Sequence, residues 1–440
     1  MRFQPSQNWM NDPNGPIFHD GVWHLFYQYN PNGDQWGDIG WGHAVSTNLV
    51  DWEERPLAIP ADDEHLIFSG SVIHDAKNTS GLGTTERGPL IAFYTGHSRD
   101  EPQQQVQCLA YSNDGGETWD KYGTNPIIDL SLANFRDPKV FWHEESKRWV
   151  MLTALAAEQS ILIFTSQNLI DWTQVSRFCA PEPMDHEWEC PDLLPLPVRD
   201  HSDEVKWTLF VSVGGSAPAG GVGVQYFIGD FDGEAFILDP GERGRWVDFG
   251  PDFYAPQSFS GISSDRDGGL WLGWMNNWIY AKQTFPCPSR GMMTCARRIY
   301  LHREEHTYHL VQQPVPLAQS MSPPQSLPRR ISVQGDRAIV LELTSELGEK
   351  ASLAVDPLGV VTIDRSGLST ELPDEFRQKH EMSFRPVSGQ GTVIVLDEKG
   401  IEVFATGGRD VMTALLQFEG RSIRLSLEEL SADAFASSAS

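Results

Sequence analysis

The chain has little positive charge, few cysteines and no long apolar run, and each shortage removes a class of function. Against 60 Asp and Glu stand only 33 Lys and Arg, a formal net charge of −27. A surface of that sign repels phosphate backbones and anionic lipid, so neither nucleic acid nor a membrane is expected as a partner. The five cysteines, Cys108, Cys179, Cys190, Cys287 and Cys295, are odd in number and too widely spaced for a zinc site, a redox pair or a disulfide framework. No stretch approaches the ~18 apolar residues of a membrane span, and Met1-Arg2-Phe3-Gln4-Pro5-Ser6-Gln7 carries no signal-like run. A soluble chain is expected, cytoplasmic as it stands and secreted if a leader precedes it. Asn78-Thr79-Ser80 matches a glycosylation pattern but reads as a polar turn.

What is present is ordinary globular material, 40% apolar and 21% charged, in 440 residues. That length suggests two or three domains. One short segment recurs five times at intervals of about 60 residues: Trp23–Gln28, Leu90–Thr95, Trp149–Ala154, Trp207–Ser212 and Trp271–Asn276. Each is an aromatic and β-branched run of strand length behind a polar turn. A second recurrence, Ser46–Trp52, Ser112–Trp119 and Ser166–Trp172, supplies Asx and Gly for a tight turn and a Trp to close it. Five copies of an all-strand unit predict an all-β fold led by a five-bladed β-propeller, with blades near 8–60, 61–125, 126–188, 189–250 and 251–312. Pro314, Pro316, Pro323, Pro324 and Pro328 then mark a stiff linker over 313–330. Short strand-like runs after it predict a β-sandwich over 331–440, with a frayed end from Ser431.

The inner strand of each propeller blade starts at one mouth of the channel, so the residues upstream of each repeat should meet. Those stretches are Trp9–Gly15, Phe68–Ser71, Phe135–Pro138 and Glu189–Asp192. Asp12 stands eleven residues before Trp23 and Asp137 twelve before Trp149, which reads as equivalent positions on two blades. Glu189 stands eighteen before Trp207, the charged turn Arg199 to Lys206 accounting for the excess. Three carboxylates facing one cavity repel each other, a cost that structure alone does not repay. Glycoside cleavage uses such a set: one ionised carboxylate at the anomeric carbon, one protonated group for the leaving oxygen. Arg136 could hold a carboxylate ionised or grip a hydroxyl, and Trp36, Trp41, Tyr254 and Trp274 could wall a sugar ring.

These residues resemble the motifs of glycoside hydrolase family 32, the invertases, exo-inulinases and levanases. The likeness rests on Trp9-Met10-Asn11-Asp12-Pro13-Asn14-Gly15-Pro16, Phe135-Arg136-Asp137-Pro138 and Glu189-Cys190-Pro191-Asp192. It extends to Phe26–Pro31, Trp41–Ala44, Phe68–Ser71, Gly273–Trp278 and the Asp397–Phe404 hairpin of the expected sandwich, and so to essentially the whole chain. The resemblance implies a retaining exo-β-fructofuranosidase that removes terminal fructosyl units from sucrose, fructo-oligosaccharides or fructans. It implies Asp12 as nucleophile, Glu189 as acid/base and Asp137 as transition-state stabiliser. The implied fructosyl pocket comprises Asn11, Gln28, Trp36, Phe68, Ser69, Arg136, Tyr254 and Trp274. Gly40 and the Ala296 before Arg297 depart from the family pattern and are expected to alter the leaving-group side.

Other readings are weaker. Ser112–Trp119 fits the Asp-box of sialidase propellers, but such an enzyme needs several arginines and a Tyr nucleophile at the mouth, and only Arg136 is in place. His302-Arg303-Glu304-Glu305-His306 matches an inverted zinc-protease pattern, yet its flanks read as two strands and not as the helix a metal would need. No cofactor and no metal are expected; the partner is a small sugar. A fructosyltransferase using the same intermediate, and a fructan-binding propeller without catalysis, are the alternatives.

Overall fold

In the computed structural model every one of the five recurring segments lies in the second strand of a separate antiparallel sheet. The structure describes residues 2–431 apart from 183–184, 200–203, 287, 316–326, 328, 334–336, 357 and 388. The linker expectation, the turn after Arg199 and the Ser-Ala end therefore fall largely outside the described residues. Among the described residues no helix is long and apolar enough to cross a membrane.

The first five sheets are the propeller blades. Blade one runs Trp9–His19, Val22–Asn30, Gly40–Ser46 and Glu53–Ile59, each strand pairing with the next. The other four blades open on the inner strands His65–His74, Phe135–His143, Trp188–Pro197 and Tyr254–Ser258, and the fifth ends at Pro314. One boundary moves: Ile128–Leu132, expected at the start of blade three, pairs with Gln105–Ser112 and completes the outer edge of blade two. The ring closes between blades one and five, where Phe18 N donates to Ser260 O and Ser260 N to Pro16 O, both at 2.9 Å.

The second recurrence makes one turn repeatedly. Ser46 Oγ accepts from Leu49 N at 2.9 Å and Asn48 Oδ1 from Asp51 N at 2.8 Å. The Ser166–Asp171 turn repeats both distances. Leu49 and Leu169 both take positive φ, 64° and 66°, a conformation held by these side-chain bonds to the backbone. In the Ser112–Trp119 box, Ser112 Oγ and Asp114 Oδ1 accept from Gly116 N and Thr118 N. These are hairpin devices outside the channel. His302–His306 likewise spans the end of Arg297–Glu304 and the turn before Thr307–Pro314, with His302 paired to His309 across the hairpin.

Two further antiparallel sheets form the sandwich, which makes the fold an all-β propeller followed by a β-sandwich. In the outer sheet, Lys350–Asp356 and Val360–Gly367 alternate buried with half-exposed residues, as a sheet with one dry face must. Leu341, Leu353 and Ile363 meet Ile394, Leu396 and Val403 of the inner sheet. Gly400–Ala405 in that inner sheet is buried throughout, because its other face lies on the propeller. Arg297 and Glu402 join the two units there, Nη2 donating to Oε2 at 2.8 Å.

Candidate active site

Each inner strand breaks its pairing at the same mouth of the channel. Register shifts fall between Met10 and Pro13, Phe68 and Gly70, Arg136 and Lys139, Glu189 and Asp192, and Tyr254 and Gln257. Such bulges re-aim side chains that a regular ladder would send between the blades. Asp137, Cys190 and Ala255, the first unpaired residues of their bulges, have φ of 65°, 46° and 45°. A Pro follows each of the three, and lacks the N–H that a disrupted ladder would leave unpaired.

The bulges correct the equivalence expected from counting. Met10, Arg136, Glu189 and Tyr254 share the last paired position before the break. Asp137 is the first residue inside its bulge and Asp12 the second inside its own. The three carboxylates thus occupy three successive register positions on three blades. They converge all the same: Asp12, Asp137 and Glu189 line one cavity of about 270 Å³. A larger cavity, about 860 Å³, opens where the inner strands end, lined by Trp142, Trp207 and Lys139; it holds none of the three.

Hydrogen bonds fix each acid. Ser69 Oγ donates to Asp12 Oδ2 at 2.9 Å, while Asp12 Oδ1 is buried with no partner among the described residues. Cys190 N donates to Asp137 Oδ2 at 2.9 Å. Asp137 N donates in turn to Thr95 Oγ1 at 2.9 Å, and Thr95 Oγ1 to Gln107 Oε1 at 2.9 Å. Glu189 Oε1 accepts from Arg136 Nε at 3.1 Å, and Glu189 Oε2 from the Tyr254 hydroxyl. Burial pushes Asp12 up to about 6, with the negative charge of Glu189 adding to it. Burial also raises Asp137; Arg136 opposes the shift, and Glu189 reinforces it. Burial works against the charge of Arg136, but Glu189, Asp137 and Glu187 outweigh it and raise its pKa.

A family model described as the glycosyl hydrolases family 32 N-terminal domain matches residues 2–314. The chain belongs to glycoside hydrolase family 32. It is 40% identical over 448 residues to the levanase of Bacillus subtilis, an alignment covering 94% of this chain and 65% of the levanase. It is 41% identical over 343 residues to an extracellular exo-inulinase of Aspergillus awamori, covering 71% and 63% of the two chains. This chain therefore spans less than two thirds of the length of either. The β-fructofuranosidase of Schwanniomyces occidentalis, solved with fructosyl-erythritol, superposes with a TM-score of 0.86 at 32% identity, covering 98% of this chain and 93% of the other.

In this family 32 chain Asn11, Gln28, Trp36, Phe68, Ser69 and Arg136 line the cavity as expected from the motifs. Trp9 Nε1 donates to Asn11 Oδ1 at 2.8 Å, and Gln28 Nε2 to Ile67 O at 3.1 Å. Three placements differ. Tyr254, 1% exposed, stands behind Glu189 and bonds it instead of lining the cavity. Trp274 is fully buried between Trp9 and Trp278, and the ring that reaches the cavity from its loop is Trp278. Trp41 is also buried; its Nε1 donates to Phe68 O at 3.0 Å and so supports the wall without forming it.

Trp278 and Lys282 complete the lining and were not expected. The signal existed: second strands run antiparallel to inner strands, so the segments following them reach the same mouth. Trp36 follows the second strand of blade one just as Trp278 and Lys282 follow that of blade five. The two departures from the family pattern lie elsewhere. A Cβ on Gly40 would sit 2.7 Å from Ile59 O, so glycine there admits the neighbouring outer strand. Ala296 follows Cys295, whose N donates to Glu402 Oε1 at 2.9 Å on the sandwich.

Proposed function

We propose that the protein is a retaining exo-β-fructofuranosidase. One observation carries this: three carboxylates from blades one, three and four face a single small cavity whose only buried lining cation among the described residues is Arg136. The cavity is smaller than the ~300–1,000 Å³ pockets that take drug-sized ligands. A site of that size has room for one terminal sugar, which fits exo action. Its buried residues, Asn11, Gln28, Ser69, Arg136 and Asp137, would hold the fructosyl ring. The exposed Trp36 and Lys282 would meet the leaving sugar.

Asp12 attacks C2 of the fructosyl unit while Glu189 protonates the departing oxygen. Glu189 then deprotonates water, which displaces Asp12 and restores the original configuration. Asp137, anchored by Cys190 N, binds fructosyl hydroxyls as charge develops on the ring. Sucrose and the fructans inulin and levan are the substrates this reading names. Incubation with all three in parallel, followed by product analysis, tests it. Free fructose as the first and main product is expected from each cleaved substrate; release of internal oligosaccharides, or sugar binding without release, would contradict it.

A further inference from the structure

Arg136 donates hydrogen bonds to two carboxylates, and only one of them has been given a role. Glu187 Oε2 accepts from Nη2 at 2.6 Å. Glu189 Oε1 accepts from Nε at 3.1 Å and lies 3.0 Å from the same Nη2. Nη1 donates to Asn134 Oδ1 at 3.3 Å, with Gln105 Oε1 at 3.5 Å. Every nitrogen of this buried guanidinium is engaged. Glu187 stands two residues before Glu189, at the entry to the inner strand of blade four, and the two-residue period of extended chain brings both side chains to Arg136. Glu187 is the outer of the two, its side chain 48% exposed against 27% for Glu189.

A guanidinium facing one carboxylate alone settles into two parallel bonds, the strongest and most rigid arrangement open to it. Here the shortest contact of Nη2 goes to Glu187, and both Arg136 contacts with Glu189 fall on one oxygen, Oε1, while the Tyr254 hydroxyl donates to the other. We propose that Glu187 is a positioning residue for proton transfer. By holding Nη2 it keeps Arg136 from closing on both oxygens of Glu189, and so leaves that carboxyl able to carry a proton to the leaving group. The inference rests on the reading of Glu189 as acid/base. In the step concerned the bond from C2 to the leaving oxygen breaks as Asp12 bonds to C2. The released electron pair stays on that oxygen, which takes the proton of Glu189. A leaving group that is stable as an anion needs no such proton.

That distinction supplies the test. Glu187→Ala and Glu187→Gln would be assayed on sucrose, whose leaving group must be protonated, and on 4-nitrophenyl β-D-fructofuranoside, whose leaving group need not be. The quantity compared is kcat/KM, which reports the steps through bond cleavage. Glu187→Ala should lower it about tenfold on sucrose and less than about twofold on the aryl substrate. Glu187→Gln, whose amide oxygen still accepts from Nη2, should recover most of the loss. Equal losses on both substrates, or no loss on either, would overturn the proposal. A wild-type protein that cleaves neither substrate would overturn the reading beneath it, and the proposal with it.

Discussion

Buried charge is handled in two opposite ways in this molecule. At the seam between propeller and sandwich, Arg2, Arg297 and Arg365 are buried among Asp248, Asp252 and Glu402, and each carboxylate oxygen has a donor. Glu402 Oε1 accepts from Arg2 Nε and Cys295 N, and Oε2 from Arg297. Asp248 Oδ1 accepts from Gly250 N and Thr413 N, and Oδ2 from Arg297 and the Thr413 hydroxyl. Asp252 Oδ1 accepts from Tyr280, and Oδ2 from Arg365 and Leu415 N. At the propeller mouth, Asp137, Glu187 and Glu189 share one arginine, and Asp12 Oδ1 has no partner among the described residues. Burial pulls carboxyl pKa values up in both places. Two guanidinium groups overcome it at Glu402, which ends below its usual range, whereas Asp12 is left at about 6. The seam spends its charges on holding two units together; the mouth keeps a surplus of negative charge.

The contrast can be broken most directly at Asp12. Asp12→Asn should reduce kcat by at least ~10⁴-fold while the protein stays folded; steady-state assay with circular dichroism checks both halves. Arg297→Met should do the reverse. It leaves Glu402 and Asp248 buried without their shared cation, a cost of about 3–5 kcal/mol, visible as an earlier urea unfolding midpoint.

A smaller effect sharpens the difference. The folded pKa of Asp12 lies above its unfolded value, so the folded chain holds the extra proton between about pH 4 and 6, and stability from this group falls as pH rises through that window. Asp12→Asn should therefore be more stable than wild type by about 1–3 kcal/mol at pH 7, with the gap closing near pH 4. Over the same window the Asp12 carboxyl ionises, so, with Asp12 as the attacking group proposed above, wild-type kcat/KM should fall as pH drops below about 6. The pH that arms the site is the pH that loosens it. Trp36→Ala changes no charge in either cluster and serves as the control: a rise in KM of about two- to tenfold, with no shift in unfolding midpoint.

The blades were legible because a strand buried on both faces is written as an uninterrupted run such as Trp207–Ser212, and five such runs leave little choice of fold. The three carboxylates of the mouth were legible as residues but not as register. Counting back to a Trp assumes a constant number of residues, whereas the bulges leave two residues unpaired in four blades and only Ser69 in blade two. Trp274 and Trp278 look alike in sequence; the tilted stack at 4.9 Å, which buries one and presents the other, is a tertiary event. The seam was not legible at all. Arg2 and Glu402 are separated by most of the chain, and nothing local to either predicts the other.

The closure of the ring through Ser260 has a consequence for how the protein is made. Blades one, three and four carry all three carboxylates and emerge from the ribosome early. Tyr254, Trp278, Lys282 and the backbone bonds to Pro16 and Phe18 arrive only with the last blade. A nascent chain halted before that point holds all three carboxylates of the mouth and no finished cavity for them to face.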